Sequence, residues 1–172
     1  FNYTFDDILI GVWSGSKCVE ERITNACKTW FKQFPEVTVF SDKYPKGVTE
    51  KLIELANPTN VNFVELGDCS PFLIATGWER AQPRFLITME RLYRMNTSKK
   101  WYFFMDDDSF PIARTVMNII NQEDASMSKV IGHFYRMDNK YAWGLFSNIK
   151  RSLYYAKGGC GVIISNGFFK KA

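Results

Sequence analysis

Short apolar runs alternate with amphipathic stretches along this chain, and that alternation admits few folds. The run Ile8-Leu9-Ile10-Gly11-Val12-Trp13, preceded by Asp6-Asp7 and followed by Ser14-Gly15-Ser16, reads as a buried strand that ends in a turn. From about Cys18 to Phe34, the residues Ile23, Ala26, Cys27, Trp30, Phe31 and Phe34 recur at steps of three and four. They make one face of a helix that Pro35 ends. Val37-Thr38-Val39-Phe40, closed by Ser41-Asp42, is a second strand; a weaker helical stretch spans Glu50 to Ala56; and Val61-Asn62-Phe63-Val64 is a third strand. A turn-rich loop from roughly Gly67 to Gly77 leads into a helix marked by Phe85, Met89, Leu92 and Tyr93, which Asn96-Thr97-Ser98 terminates.

The most apolar strand, Trp101 to Met105, then runs straight into Asp106-Asp107-Asp108. Pro111 is placed to occupy the first position of a helix carrying Val116, Ile119 and Ile120. Lys129 to Phe134 reads as a further strand, and Tyr141 to Phe146 and Leu153 to Ala156 as aromatic-rich strands. Gly158-Gly159-Cys160-Gly161 follows, then Val162-Ile163-Ile164 and a helix start at Ser165-Asn166. Strands alternating with helices predict an α/β fold with a mostly parallel central sheet and helices on both faces.

Composition agrees with a folded chain of this kind. Of 172 residues, 46% are hydrophobic and 23% charged, which excludes disorder, collagen and coiled coil. One domain, 1–172, is the expectation at this length. Twenty-two Lys and Arg against 18 Asp and Glu give a net charge of +4, spread along the chain, so no nucleic-acid footprint is indicated. No run of about 18 apolar residues occurs, which excludes a transmembrane helix within these residues. The chain opens on Phe1, without an initiator Met or signal peptide, and closes within an amphipathic stretch lacking a stop signal, so it reads as a fragment at both ends.

Cys18, Cys27, Cys69 and Cys160 have neither CxxC spacing nor a nearby His, which argues against zinc. Cys18 and Cys27 could not bridge within one continuous helix, because nine residues rise by about 13.5 Å. Asn2-Tyr3-Thr4 and Asn96-Thr97-Ser98 are N-glycosylation sequons and hint at a secretory compartment.

In a parallel α/β sheet, ligands gather at the carboxyl ends of strands. Asp106-Asp107-Asp108 lies at such an end, and three adjacent carboxylates beside a buried strand repel one another unless a cation neutralises them. Their oxygens suit Mg²⁺ or Mn²⁺, with a nucleotide's phosphates completing the shell. The competing reading is a solvated acidic turn in which Asp108 or Ser109 caps the helix near Pro111; the metal reading is preferred. Gly158-Gly159-Cys160-Gly161 would let backbone approach a ligand, or is simply a tight turn. No GxGxxG or GxxxxGK[ST] is present. His133, the only histidine, reads as a core or edge residue, and the absence of GxSxG disfavours a nucleophilic triad. Arg22 and Arg84 can each reach a phosphate, with a surface ion pair as the default.

The strand Trp101-Tyr102-Phe103-Phe104-Met105 with Asp106-Asp107-Asp108, followed by Tyr155-Ala156-Lys157-Gly158-Gly159-Cys160-Gly161-Val162-Ile163-Ile164-Ser165, resembles the Fringe-like β-1,3-glycosyltransferases of glycosyltransferase family 31. That group includes Fringe and the core 1 galactosyltransferases. Asp7-Ile8-Leu9-Ile10-Gly11-Val12, Arg22, Thr29-Trp30 and Val39-Phe40-Ser41-Asp42 look like the family's first βαβ unit, so the likeness covers nearly the whole chain.

The resemblance implies a GT-A (Rossmann-like) nucleotide-sugar-binding fold, a UDP-sugar donor carrying galactose or N-acetylglucosamine, and Mn²⁺ or Mg²⁺. It also implies inverting transfer to a glycan on a glycoprotein in β-1,3 linkage. The protein would be a type II membrane protein facing the Golgi lumen, anchored by an N-terminal segment outside this chain. Asp108 would be the metal ligand, supported by Asp106; Asp107, Arg22, Asp42, Arg84 and Trp101 would lie near donor and nucleotide, and Gly158 and Gly159 would close over a sugar. The family's catalytic base, and a histidine that completes metal binding, lie downstream of the helix after GGxG and are expected beyond Ala172. Cys160 stands where the family has a small residue, and Cys69 matches a Fringe cysteine whose partner near Pro83 is missing. Two rival readings are a UDP-sugar- or glycan-binding domain that has lost catalysis, and a haloacid-dehalogenase-type phosphatase. The latter wants Thr or Val where this chain has Phe110.

Overall fold

A computed structural model describes residues 1–67, 77–137, 153–156 and 161–171, with backbone alone for 77–84, 135–137 and 153–156. The apolar run near the start forms β1 (Ile8–Trp13), followed by α1 (Val19–Lys28), β2 (Glu36–Ser41), α2 (Val48–Ala56) and β3 (Asn60–Glu65). Then come α3 (Gly77–Met95), β4 (Trp101–Asp106), α4 (Ala113–Ile120) and β5 (Val130–Gly132). β6 (Phe134–Met137), β7 (Leu153–Ala156), β8 (Val162–Ser165) and a short α5 (Asn166–Phe169) follow.

Six strands form one sheet in the order β3-β2-β1-β4-β8-β5, while β6 and β7 pair separately. β3, β2, β1 and β4 are mutually parallel, and β8 runs antiparallel between β4 and β5. The chain therefore winds outward from β1 through β2 to β3, then crosses back by α3 to place β4 on β1's other side. The switch point of the sheet lies between β1 and β4, whose registers run from Ile8 opposite Trp101 to Trp13 opposite Asp106. The expected mostly parallel α/β sheet is what the chain forms.

Both faces of β1 and β4 are buried because successive side chains point to opposite faces. Ile8, Ile10 and Val12 join Trp101, Phe103 and Met105 against the apolar stripes of α1, α2 and α4. Leu9, Tyr102 and Phe104 face the other way, with Phe40, against Leu92 and Phe85 of α3 and Phe169 of α5. Gly11 sets how closely α3 approaches: a Cβ there would stand 3.0 Å from Leu92 Cδ2 and 3.2 Å from the rings of Phe104 and Phe40. Among the described residues no helix is long and apolar enough to cross a membrane.

Local departures from the sequence expectations have identifiable causes. The helix predicted to reach Phe34 stops at Lys28, where Thr29 Oγ1 donates to the carbonyl of Asn25 at 2.6 Å, and a separate 3₁₀ turn, Phe31–Gln33, completes the segment. A hydroxyl that bonds back to the preceding turn competes with the helical ladder. α4 begins at Ala113, so Pro111 precedes the helix rather than opening it. Neither Asp108 nor Ser109 caps it; Gln33 Oε1, from the 3₁₀ turn, accepts from the Ala113 N–H at 3.0 Å. The strand expected from Lys129 to Phe134 splits at His133 into β5 and β6, and of the two expected placements of His133, core or edge, its exposure at that junction excludes the core. The loop before α3 and the strand predicted over Tyr141 to Phe146 fall mainly or wholly outside the described residues.

Two outcomes follow from this packing. Gly11→Val should lower the unfolding free energy by about 1–3 kcal/mol through overpacking. Gly15→Ala, where an added Cβ meets nothing within 4 Å, should stay within about 0.5 kcal/mol of the parent. Denaturant titration distinguishes them, and equal effects would contradict the close approach of α3. Cys18 and Cys27 are both free thiols; Cys27 is buried, and desolvation pushes its pKa up to about 11. Its thiolate is therefore scarce at pH 8, and peptide-resolved alkylation of the native protein should label Cys18 well before Cys27.

Candidate functional site at the switch point

Three strand ends converge where the sheet reverses its winding. β1 continues through Ser14, whose N–H donates to the Phe40 carbonyl at 2.9 Å, and then turns at Gly15, whose carbonyl accepts from the N–H groups of Cys18 and Val19. This short turn delivers the chain directly into α1 and puts Arg22 one turn into that helix, near the end of β4.

The three adjacent aspartates have separate environments. Asp107 is nearly buried, with 6% of its side chain exposed, and both its oxygens are engaged. Ser14 Oγ, itself fully buried, donates to Oδ2 at 2.5 Å, and Arg22 Nη1 donates to Oδ1 at 2.6 Å. One carboxylate thus ties together β1, α1 and β4 across the switch point. The same guanidinium nitrogen is 3.6 Å from Asp108 Oδ2, but Asp108 keeps 63% of its side chain exposed. Asp106 is half-buried; desolvation first, then the like charges of Asp108 and Asp107, push its pKa up, and Arg22 offsets only part of this. The Arg22 guanidinium is held more firmly charged by its bond to Asp107.

A second tie holds the neighbouring strand end. Asp42, after β2, accepts from the Ser16 N–H at 2.8 Å and from Ser16 Oγ at 3.1 Å. The turn after β1 is therefore pinned on one side to β2 through Ser16 and on the other to β4 through Ser14.

The structure thus brings Arg22, Asp42, Asp106, Asp107 and Asp108 to one edge of the sheet. Trp101 is not among them. It is fully buried at the opposite end of β4, edge-on to Tyr3 at 5.9 Å, and five residue steps of about 3.3 Å each separate it from Asp106. Trp101 is a core residue, and its alternating position on β4 places it in the cluster beneath α1 and α2. Arg84 lies in α3, its side chain outside what is described; Gly158 and Gly159, like Cys69 and Cys160, fall outside the described residues. Gly161, the last glycine of that motif, has φ +84°, and a Cβ there would sit 2.5 Å from the Phe103 ring. It is needed to seat β8 against β4.

Ser14 and Ser16 went unrecognised as site residues in the sequence, where they read only as a turn. The signal was available: they follow a buried strand at the carboxyl edge, the same rule that singled out the aspartates.

Among the described residues no three His, Cys, Asp or Glu side chains are grouped to hold a metal ion. Magnesium-like ions, however, are commonly held by one or two carboxylates together with substrate phosphates. Asp106 and Asp108 fit that pattern. Both present hard oxygens, and Asp106 is destabilised as an anion first by burial and then by the like charges of Asp108 and Asp107, which a cation would counter. Asp107 does not fit it, because its oxygens are already taken.

The Fringe-like family model matches residues 3–172. No curated relative matches the sequence. A family match across that span, on a chain whose acidic strand end sits at the switch point of its sheet, means that the chain belongs to the Fringe-like family, whose glycosyltransferases are secretory-pathway enzymes.

Proposed function

We propose that the carboxyl edge of β1, β2 and β4 binds the diphosphate of a UDP-sugar. On this reading a hexose or N-acetylhexosamine, galactose or N-acetylglucosamine, passes to a glycan on a glycoprotein with inversion, forming a β-1,3 linkage. The unequal state of the three aspartates carries the reading: Asp107 is a structural tie with both oxygens taken, Asp108 is mostly exposed with Arg22 no closer than 3.6 Å, and Asp106 is half-buried beside like charges that Arg22 offsets only in part. Asp108 and Asp106 would hold Mn²⁺ or Mg²⁺, which when bound supplies positive charge to the departing diphosphate.

The chain's own residues supply the rest. Arg22 spends one N–H on Asp107 and keeps further donors of its guanidinium fork for a phosphate oxygen. Because Asp107 fixes the guanidinium in place, a phosphate arriving there meets a preorganised donor. Ser16 and Asp42 hold the floor of the site, where the turn after β1 passes beneath the nucleotide. In the transfer, the acceptor hydroxyl oxygen bonds to the anomeric carbon while the carbon–oxygen bond to UDP breaks and its electron pair leaves with UDP. The hydroxyl proton goes to a general base. Asp107 is unsuited to that role, since both its oxygens accept hydrogen bonds. The cellular setting that accompanies this proposal is the Golgi lumen, with a type II membrane anchor.

Calorimetry with UDP tests the assignment. UDP should bind in the presence of Mn²⁺ and weaken at least tenfold when the ion is chelated. Asp108→Ala should abolish the Mn²⁺-dependent gain while leaving stability within about 0.5 kcal/mol. Asp107→Ala should instead lower stability by about 1.5–3 kcal/mol, because a buried serine hydroxyl loses its charged acceptor. UDP binding of equal strength with and without the ion would contradict the proposal. Donor hydrolysis measured across UDP-galactose, UDP-N-acetylglucosamine and UDP-glucose then identifies the sugar.

A further inference from the structure

The two sequons, so alike in sequence, differ in structure. Asn96, Thr97 and Ser98 are all exposed, in the turn between α3 and β4. Asn96 Oδ1 accepts from Ser98 Oγ at 2.6 Å and from the Ser98 N–H at 3.1 Å, so the side chain folds back on its own turn. Its amide nitrogen donates no hydrogen bond among the described residues. The turn is also braced from beneath. Tyr102 Oη donates to the Asn96 carbonyl at 2.8 Å, and Asn166 Nδ2, itself buried, donates to the Thr97 carbonyl at 2.7 Å and the Lys99 carbonyl at 2.6 Å. Asn96 is thus exposed on a corner braced from beneath by Tyr102 and Asn166.

Asn2-Tyr3-Thr4 has no such freedom. The Tyr3 ring packs on Trp101, and its hydroxyl accepts from the Ala125 N–H at 3.0 Å. The Thr4 hydroxyl belongs to a capping box with Asp6 and Asp7 at the start of the 3₁₀ turn Phe5–Asp7. The middle and third residues of that sequon are therefore committed to the fold.

We propose that Asn96 carries an N-linked glycan. Proteins entering the secretory pathway, where Fringe-like glycosyltransferases work, meet the necessary co-reactant, an oligosaccharide linked to a polyprenyl diphosphate. Asn96 Nδ2 forms the bond to the sugar's anomeric carbon as the bond from that carbon to the diphosphate breaks. The diphosphate leaves with the electron pair, and the amide proton passes to a base of the transferring enzyme. The glycan would stand at the amino edge of the sheet, separated from Asp106 by the length of β4, about 17–20 Å for a six-residue strand. It therefore leaves the carboxyl-edge site open.

The test uses the full-length protein recovered from the lumenal fraction of a eukaryotic host, so that entry into the pathway is assured independently of any donor chemistry. Treatment with a peptide N-glycosidase should convert Asn96 to Asp and sharpen the protein's mobility. Asn96→Gln and Ser98→Ala should each remove the glycan completely, Ser98→Thr should retain it, and UDP binding should be unchanged in all three. An unmodified Asn96, or a glycan found on Asn2 instead, would overturn the proposal.

Discussion

Asp107 is the residue on which the rest of the site depends. Three consecutive carboxylates at the end of a strand buried on both faces are mutually repulsive, and burial makes each charge harder to bear. The chain resolves this by treating them differently. The middle one turns inward, where a buried hydroxyl from β1 and a guanidinium from α1 occupy both its oxygens. Of its neighbours, Asp108 is then left exposed and Asp106 half-buried at the edge of a fixed base. Without that tie, the turn after β1, the first turns of α1 and the end of β4 would have no common anchor, and neither Arg22 nor Asp108 would hold a defined position.

The sheet makes this arrangement available. Because β1 sits beside both β2 and β4, the turn that follows it can be pinned from both sides, by Asp42 through Ser16 and by Asp107 through Ser14. The close approach of α3 at Gly11 and of β8 at Gly161 keeps the strands beneath the site tightly layered. Rigidity of the scaffold thus passes directly to the polar groups at its edge. Binding groups held in advance of the ligand lose less freedom when it arrives.

Much of this was legible in the sequence because the periodicities are strong. The uninterrupted apolar runs that became β1 and β4, the alternation of strands with helices, and the acidic triplet at a strand end all carry their physical meaning locally. What could not be read involves partners distant along the chain. Nothing near Thr29 shows that its hydroxyl will end α1, nor that Gln33 will cap a helix 80 residues later. His133 looked apolar by its neighbours yet falls at the point where one strand leaves the main sheet for another. The resemblance places Trp101 near the donor, whereas alternation along β4 and five residue steps of rise put it in the core at the far end. The resemblance sets Asp108 and Asp106 apart as metal ligands, but nothing in the sequence shows that Asp107 is a structural tie, since that role lies wholly in what Ser14 and Arg22 reach.

The division of roles among the three aspartates is tested most directly by anomalous scattering from a crystal of the protein soaked with Mn²⁺ and UDP. The predicted result is a manganese peak bonded to Asp108, alone or with Asp106, while Asp107 remains hydrogen-bonded to Ser14 and Arg22. A peak on the oxygens of Asp107, with Arg22 displaced from it, would contradict the assignment.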